Sequence, residues 1–246
     1  MHTIIAKVYQ ELKFAKQTYK ISSSLAKVIV LFPIVISFLY SLLFALPMTR
    51  PIAYWMRGEN HPIELLTFGF LLAGGFRGLV LAWQTKKHRE EILVYGFYAV
   101  FSIGFLFTAM EEVAWGQWFF GFETPPALKS INVQGEFTVH NIRGLHGQTE
   151  FVRLAFGLGG LLGVWLSSRR YFRKIGAPFI LSSWFLIISI HAVPDLYIEY
   201  FSIERRLDNL INKLSEFVEM MIGMSGFLFV WLNARMLAVK WRQDVS

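Results

Sequence analysis

The sequence predicts an all-α protein, a polytopic membrane bundle of about six transmembrane helices. Three observations carry that expectation. Of 246 residues, 54% are hydrophobic and only 17% charged, where a soluble domain carries about a quarter. The apolar residues fall in blocks of about 20, the length that crosses a bilayer core. Lys and Arg also collect in alternate connecting segments, as in membrane proteins of fixed orientation. There is no cysteine, which excludes disulfides, thiolate metal sites and a Cys nucleophile. The net charge of +7 comes without any nucleic-acid motif.

Residues 1–26 read as a cytoplasmic interfacial segment. Ile5, Val8, Leu12 and Ala15 share one helical stripe, with Lys7, Lys13, Lys16 and Lys20 elsewhere. That pattern suits an amphipathic helix lying on the membrane; a basic tail is the plainer alternative. The basic stretch is too long, and lacks the cleavage site, for a removable signal peptide.

Residues 27–239 form the predicted membrane domain, with spans at about 27–46, 63–83, 92–112, 151–167, 177–197 and 217–238. Gly74/Gly78 and Gly159/Gly163 are small-xxx-small pairs expected to let helices approach closely. The glycine run 157–163 is no phosphate loop, since no Lys-Ser/Thr follows it. Residues 240–246 are a cytoplasmic tail.

Placing the N-terminus inside puts 15 of the 24 basic residues on inner segments, among them Lys86, Lys87, Arg89, Arg169, Arg170, Arg173 and Lys174. The orientation expected is therefore N-in, C-in. Thirteen of the 17 acids then fall outside or at outer span ends. Insertion does not require that bias, so a functional outer face is its expected cause.

Several unusual residues meet that face. The third span closes on Glu111 and Glu112, two adjacent carboxylates whose mutual repulsion suits proton transfer. The fifth ends with His191, Asp195 and Glu199, spaced i, i+4, i+8 on one helical face, with Pro194 expected to kink or end the helix. The sixth opens with Asn209, Asn212, Glu216 and Glu219, and the second with His61 and Glu64. Between spans three and four lies an outer loop at 113–150, long enough to suggest function. It holds Trp115, Trp118, Phe119, Phe120 and Phe122 beside the polar run Asn132-Val-Gln134-Gly-Glu136-Phe-Thr-Val-His140-Asn141.

Two motifs, Glu-Glu-x-x-Trp-Gly-Gln at 111–117 and Asn-x-Gln-Gly-Glu-x-x-x-His-Asn at 132–141, together with Glu64-Leu-Leu-Thr67, resemble an uncharacterised family of bacterial multi-pass membrane proteins. The resemblance implies a bacterial cytoplasmic (inner) membrane location. A more distant likeness is to the alkaline ceramidase and progestin/adipoQ-receptor superfamily, membrane hydrolases and relatives that hold zinc with histidines at helix ends. This chain offers His191-x-x-x-Asp195 in its fifth span and no paired His-x-x-x-His in its last.

The expected function is a metal-assisted hydrolase of a lipid or lipid-linked substrate at the outer leaflet. His191, Asp195 and His140 would hold a divalent ion, with zinc the type case. Glu111 or Glu112 would be general base to metal-bound water. Gln117 and Asn141 would position substrate or an oxyanion, and Arg143 would meet a phosphate. Trp115 and Trp118 would line an acyl entrance, with Glu136 and Glu219 as further substrate contacts. Two alternatives stand beside it: an ion- or proton-coupled transporter, and a non-catalytic subunit of an envelope complex or homo-oligomer. Arg153, like Arg143, is expected to pair with these acids or hold an anionic headgroup. Gly-x-Ser-x-Gly is absent. A single histidine lies well inside a span, so haem is not favoured.

Overall fold

The computed structural model describes residues 2–144, 149–201 and 213–243, with side chains from residue 10 onward outside 198–201. Among the described residues it is helical throughout, without a strand; one isolated bridge pairs Asn132 with Ile142. Six helices are long and apolar enough to span a membrane. They are α2 (Ser23–Ala45), α4 (Pro62–Lys87), α5 (Ile92–Glu112), α8 (Thr149–Ser167), α9 (Ser182–Phe201) and α10 (Ser215–Gln243). The short helices are α3 (Arg50–Met56), α6 (Gln117–Phe120) and α7 (Pro126–Lys129), and α1 (His2–Tyr19) leads the chain.

The observed ends follow from local chemistry. Helix α2 starts at Ser23 because Ser22 caps it, its side chain accepting from the Leu25 N–H at 3.1 Å. Its outer face, including Val28, Leu31, Val35 and Phe38, is more than half exposed, as a lipid-facing surface is. Pro194 lies within α9, which continues to Phe201, so the expected break does not occur. The fifth predicted span instead begins with a 3-10 turn, Phe179–Leu181, ahead of α9.

Helix α10 is the central element, buried along Val218, Met221, Val230, Leu232 and Leu237. It packs with α4 and α5 as one unit; α8 and α9 form a second pair, and α2 lies on α9. Of the two small-residue pairs, Gly74 and Gly78 do let helices close. A Cβ at Gly74 would stand 3.3 Å from the Phe227 backbone, and one at Gly78 would meet Ser102 Oγ. The other pair behaves differently. Gly157 and Gly160 carry the α8–α9 contact, against Ser189 and Phe185, while Gly159 has nothing within 4 Å. Spacing alone names a stripe; packing chose its neighbour.

One end of the bundle is tied by a basic cluster. The Glu90 carboxylate, 7% exposed, accepts from Lys174, from Lys240 Nζ at 3.4 Å and from Trp241 Nε1 at 3.1 Å. Burial would raise the Glu90 pKa, but the bonds from Lys174 and Trp241 and the lysine charges hold it below the ordinary carboxylate range. At the same end Arg235 donates to the Tyr19 and Lys20 carbonyls, fastening α1. Ala15 and Tyr19 are buried there, and Leu12 packs against the core. The side chains of Ile5 and Val8 lie outside those described.

Candidate functional site

At the opposite end, the start of α4, the end of α5 and the starts of α8 and α10 surround a polar chamber of about 700 Å³, roofed by the loop after α5. Its walls carry eight glutamates: Glu59, Glu64, Glu111, Glu112, Glu136, Glu150, Glu216 and Glu219. Against them stand Arg57, Arg153 and His140. The alternation of spans brings the predicted acids to one end, as their positions in the sequence required.

Glu111 and Glu112 part company at once. Ala114 and Trp115 take left-handed backbone angles (φ 45° and 55°), unusual for residues with a side chain, and Gly116 follows at φ 87°. The chain so reversed returns the Trp115 indole to Glu111, where Nε1–H donates to Oε1. The other carboxylate oxygen accepts the backbone N–H of Val139 at 2.8 Å and of His140 at 2.9 Å, and His140 Nδ1 at 2.9 Å. Glu111 is thereby an acceptor with four donors around it. It fixes His140 with Nδ1 engaged, leaving Nε2 as the ring nitrogen for the chamber. Burial would lower the His140 pKa. The bond to Glu111 and the charges of Glu111, Glu219 and Glu136 overcome it and raise the value. Glu112, by contrast, lines the chamber with Glu64, Glu216 and Glu219 for neighbours.

The loop is folded by its own amides. Asn132 Nδ2 donates to the Thr138 carbonyl at 2.9 Å, and its Oδ1 accepts from the Gln134 and Glu136 N–H groups. Val133 N–H donates to the Asn141 carbonyl at 2.8 Å. Gln117, expected to touch substrate, is used structurally: it donates to the Phe122 carbonyl and to Thr124, and accepts from the Phe137 N–H at 2.9 Å. Asn141 is buried, donates to Gln134 and lines the chamber. Glu136 lines it too. Burial and the nearby Glu59 charge raise its pKa above the ordinary carboxylate range.

Arg153 is the other organising residue. It is 6% exposed. Nη1 meets Asp195 Oδ2 at 2.6 Å, Nε lies 3.2 Å from Glu219 Oε1, and Nη2 lies 3.7 Å from Glu150 Oε1. Nη2 also donates to Thr149 Oγ1 at 3.0 Å. One guanidinium therefore joins α8, α9 and α10.

The expected ligand trio is engaged separately: Asp195 with Arg153, His140 with Glu111. His191 is half-buried on α9 and does not line the chamber. Among the described residues no three His, Asp or Glu side chains are grouped as a metal site. Arg143 is exposed and does not line the chamber. Trp118 lines the chamber, while Trp115 packs edge-on against Phe107 and serves Glu111. Asn209 and Asn212 lie outside the described residues, as does the side chain of Glu199. Sequence reasoning missed Tyr54, Arg57, Glu59 and Asn60, contributed by α3 and the turn after it. The left-handed Asn60 (φ 68°), whose N–H donates to Glu64, builds that turn.

Beside the chamber runs an apolar slot of about 430 Å³, walled by Leu71, Phe105, Phe107, Val152, Phe156 and Ile222. Glu111, Glu112, His140, Thr149, Arg153 and Glu219 line both spaces. Comparison with known protein families, with curated proteins and with solved structures finds no match for this chain.

Proposed function

We propose that this chain is a membrane hydrolase that cleaves a lipid or lipid-linked amphiphile near its head–tail junction. The observation that carries the reading is the shared wall. A site whose polar chamber and apolar slot meet at Glu111, Glu112, His140 and Arg153 suits a molecule with a polar head and an apolar tail. The reacting bond would then lie beside the groups able to move protons.

His140 Nε2 takes a proton from water while Glu111 holds the imidazole through Nδ1, a division of labour known from carboxylate–histidine pairs. The water oxygen attacks the acyl carbon, the bond to the leaving oxygen or nitrogen breaks, and the proton passes to that leaving atom. Glu112 orients the water, and Arg153 keeps the chamber's walls in register. A chamber with eight carboxylates against three cationic side chains favours an uncharged or cationic head over a bare phosphate. Membrane lipids are the surrounding partners. The proposed setting is a bacterial cytoplasmic membrane with both termini inside and the chamber facing outward, in keeping with the basic cluster at the opposite end.

The test is oxygen-18 incorporation. Purified protein in lipid nanodiscs, in H2(18)O, is given ester- and amide-linked amphiphiles with amine or uncharged heads. The reading expects label in the released acid, with the rate lowered about 100-fold by His140→Ala and by Glu112→Gln. No release from the panel, or release unchanged in both variants, refutes it.

A further inference from the structure

Helix α8 packs on α9 and barely meets α5, so a lengthwise cleft separates α5 from α8. The slot beside the chamber is its first part. A second apolar space of about 320 Å³ continues along the same two helices, between Phe97, Phe101, Gly159, Gly163, Leu166 and Phe172. Phe156 lines both, and its ring packs on that of Phe105, centroids 6.1 Å apart, so this pair is the partition that a chain running the length of the cleft turns aside. The cleft runs from Val152 to Leu166 on α8, ~21 Å at 1.5 Å per residue, and from Thr108 to Phe97 on α5, ~17 Å. Half of a bilayer's hydrocarbon core is only ~15 Å.

We propose that this cleft holds one long aliphatic chain of a single amphiphile, extended from the chamber past mid-bilayer, with a cationic head among the chamber's carboxylates. Three features select that occupant. The first part of the cleft shares its wall with a chamber that carries eight glutamates against Arg57, Arg153 and His140, and Glu150 Oε2 there accepts no hydrogen bond from the described residues. The cleft runs lengthwise between α5 and α8, which suits a chain lying along the helices. Gly159 opens into this space, and a Cβ added there would meet nothing within 4 Å, so the glycine leaves room instead of drawing a helix close. The inference rests on the amphiphile reading of the chamber but not on hydrolysis.

The experiment is photolabelling of the full chain in phosphatidylcholine nanodiscs with octadecylamine carrying a diazirine at its chain terminus. Label is expected on Phe97, Leu166 or Phe172. Gly159→Phe, and independently Ala155→Phe, is expected to cut it about tenfold, whereas Gly69→Phe on the exposed face of α4, away from the cleft, leaves it unchanged. The matching long-chain carboxylic acid is expected to label about tenfold less. Label spread over lipid-facing Val100 and Ile103, indifference to both plugs, equal labelling by the acid, or cross-links showing a second chain's helix in the cleft would each overturn the proposal. Labelling without turnover sinks only the hydrolase reading; turnover without cleft labelling sinks only this one.

Discussion

Replacing Arg153 with Met removes one guanidinium from a buried junction of three helices at the chamber wall. Arg153 and Asp195 are 6% and 7% exposed, and their 2.6 Å contact has little water to replace it. Breaking a buried pair from one side costs about 3–5 kcal/mol, because the abandoned charge stays buried. Glu219 at 3.2 Å and Glu150 at 3.7 Å lose the same counter-charge, so the upper half of that range applies. At ~2–4 °C per kcal/mol for a chain of this size, the melting temperature falls by about 10 °C or more. The assay is unfolding of detergent-purified protein followed by tryptophan fluorescence, for Arg153→Met, Asp195→Asn and the double variant. Neutralising Asp195 in the Arg153→Met background should recover about 2 kcal/mol, the mark of a direct pair. A single Arg153→Met variant within ~0.5 kcal/mol of wild type, or strict additivity of the two changes, refutes the assignment of Arg153 as the junction.

Two further outcomes follow from the geometry. Glu90→Gln is expected to destabilise by about 2 kcal/mol at neutral pH, by removing charged hydrogen bonds to Lys174 and Trp241. The folded pKa of Glu90 is lowered. Its contribution is therefore complete above the ordinary carboxylate value near ~4.3 and fades as pH falls through the lowered value, so the gap between wild type and variant should close in acid; a gap that widens in acid contradicts the cluster. His191→Ala should leave oxygen-18 release within about twofold of wild type, because the side chain does not line the chamber. Loss of both activity and copurifying divalent metal in that variant would instead identify His191 and Asp195 as metal ligands.

The spans and the end at which the acids gather were legible because hydropathy blocks and alternation are one-dimensional signals. Ile92–Glu112 came out with its observed bounds for that reason. The partnerships were not legible. Arg153 finds Asp195 42 residues away, and Glu111 finds Val139 28 residues away, on elements whose rotation no periodicity reports. The adjacent Glu111 and Glu112 looked equivalent; the left-handed turn at Ala114 and Trp115 sends them to different work. Gln117 looked reactive, yet its hydrogen bonds to Phe122, Thr124 and Phe137 hold the loop. Among the glycines, spacing alone did not separate Gly157 and Gly160, which pack on α9, from Gly159, which leaves space.

The most direct check is the titration of His140 by nitrogen-15 NMR in nanodiscs, with resonances among the six histidines assigned by substitution. A carboxylate-held imidazole should titrate above the ordinary value of ~6.5, and Glu111→Gln should bring it down. Since the folded value is raised, the pair's stabilising effect is present below that ordinary value and is lost as pH rises through the folded one. An unshifted His140, unaffected by Glu111→Gln, would mean that no such dyad stands between the chamber and the cleft.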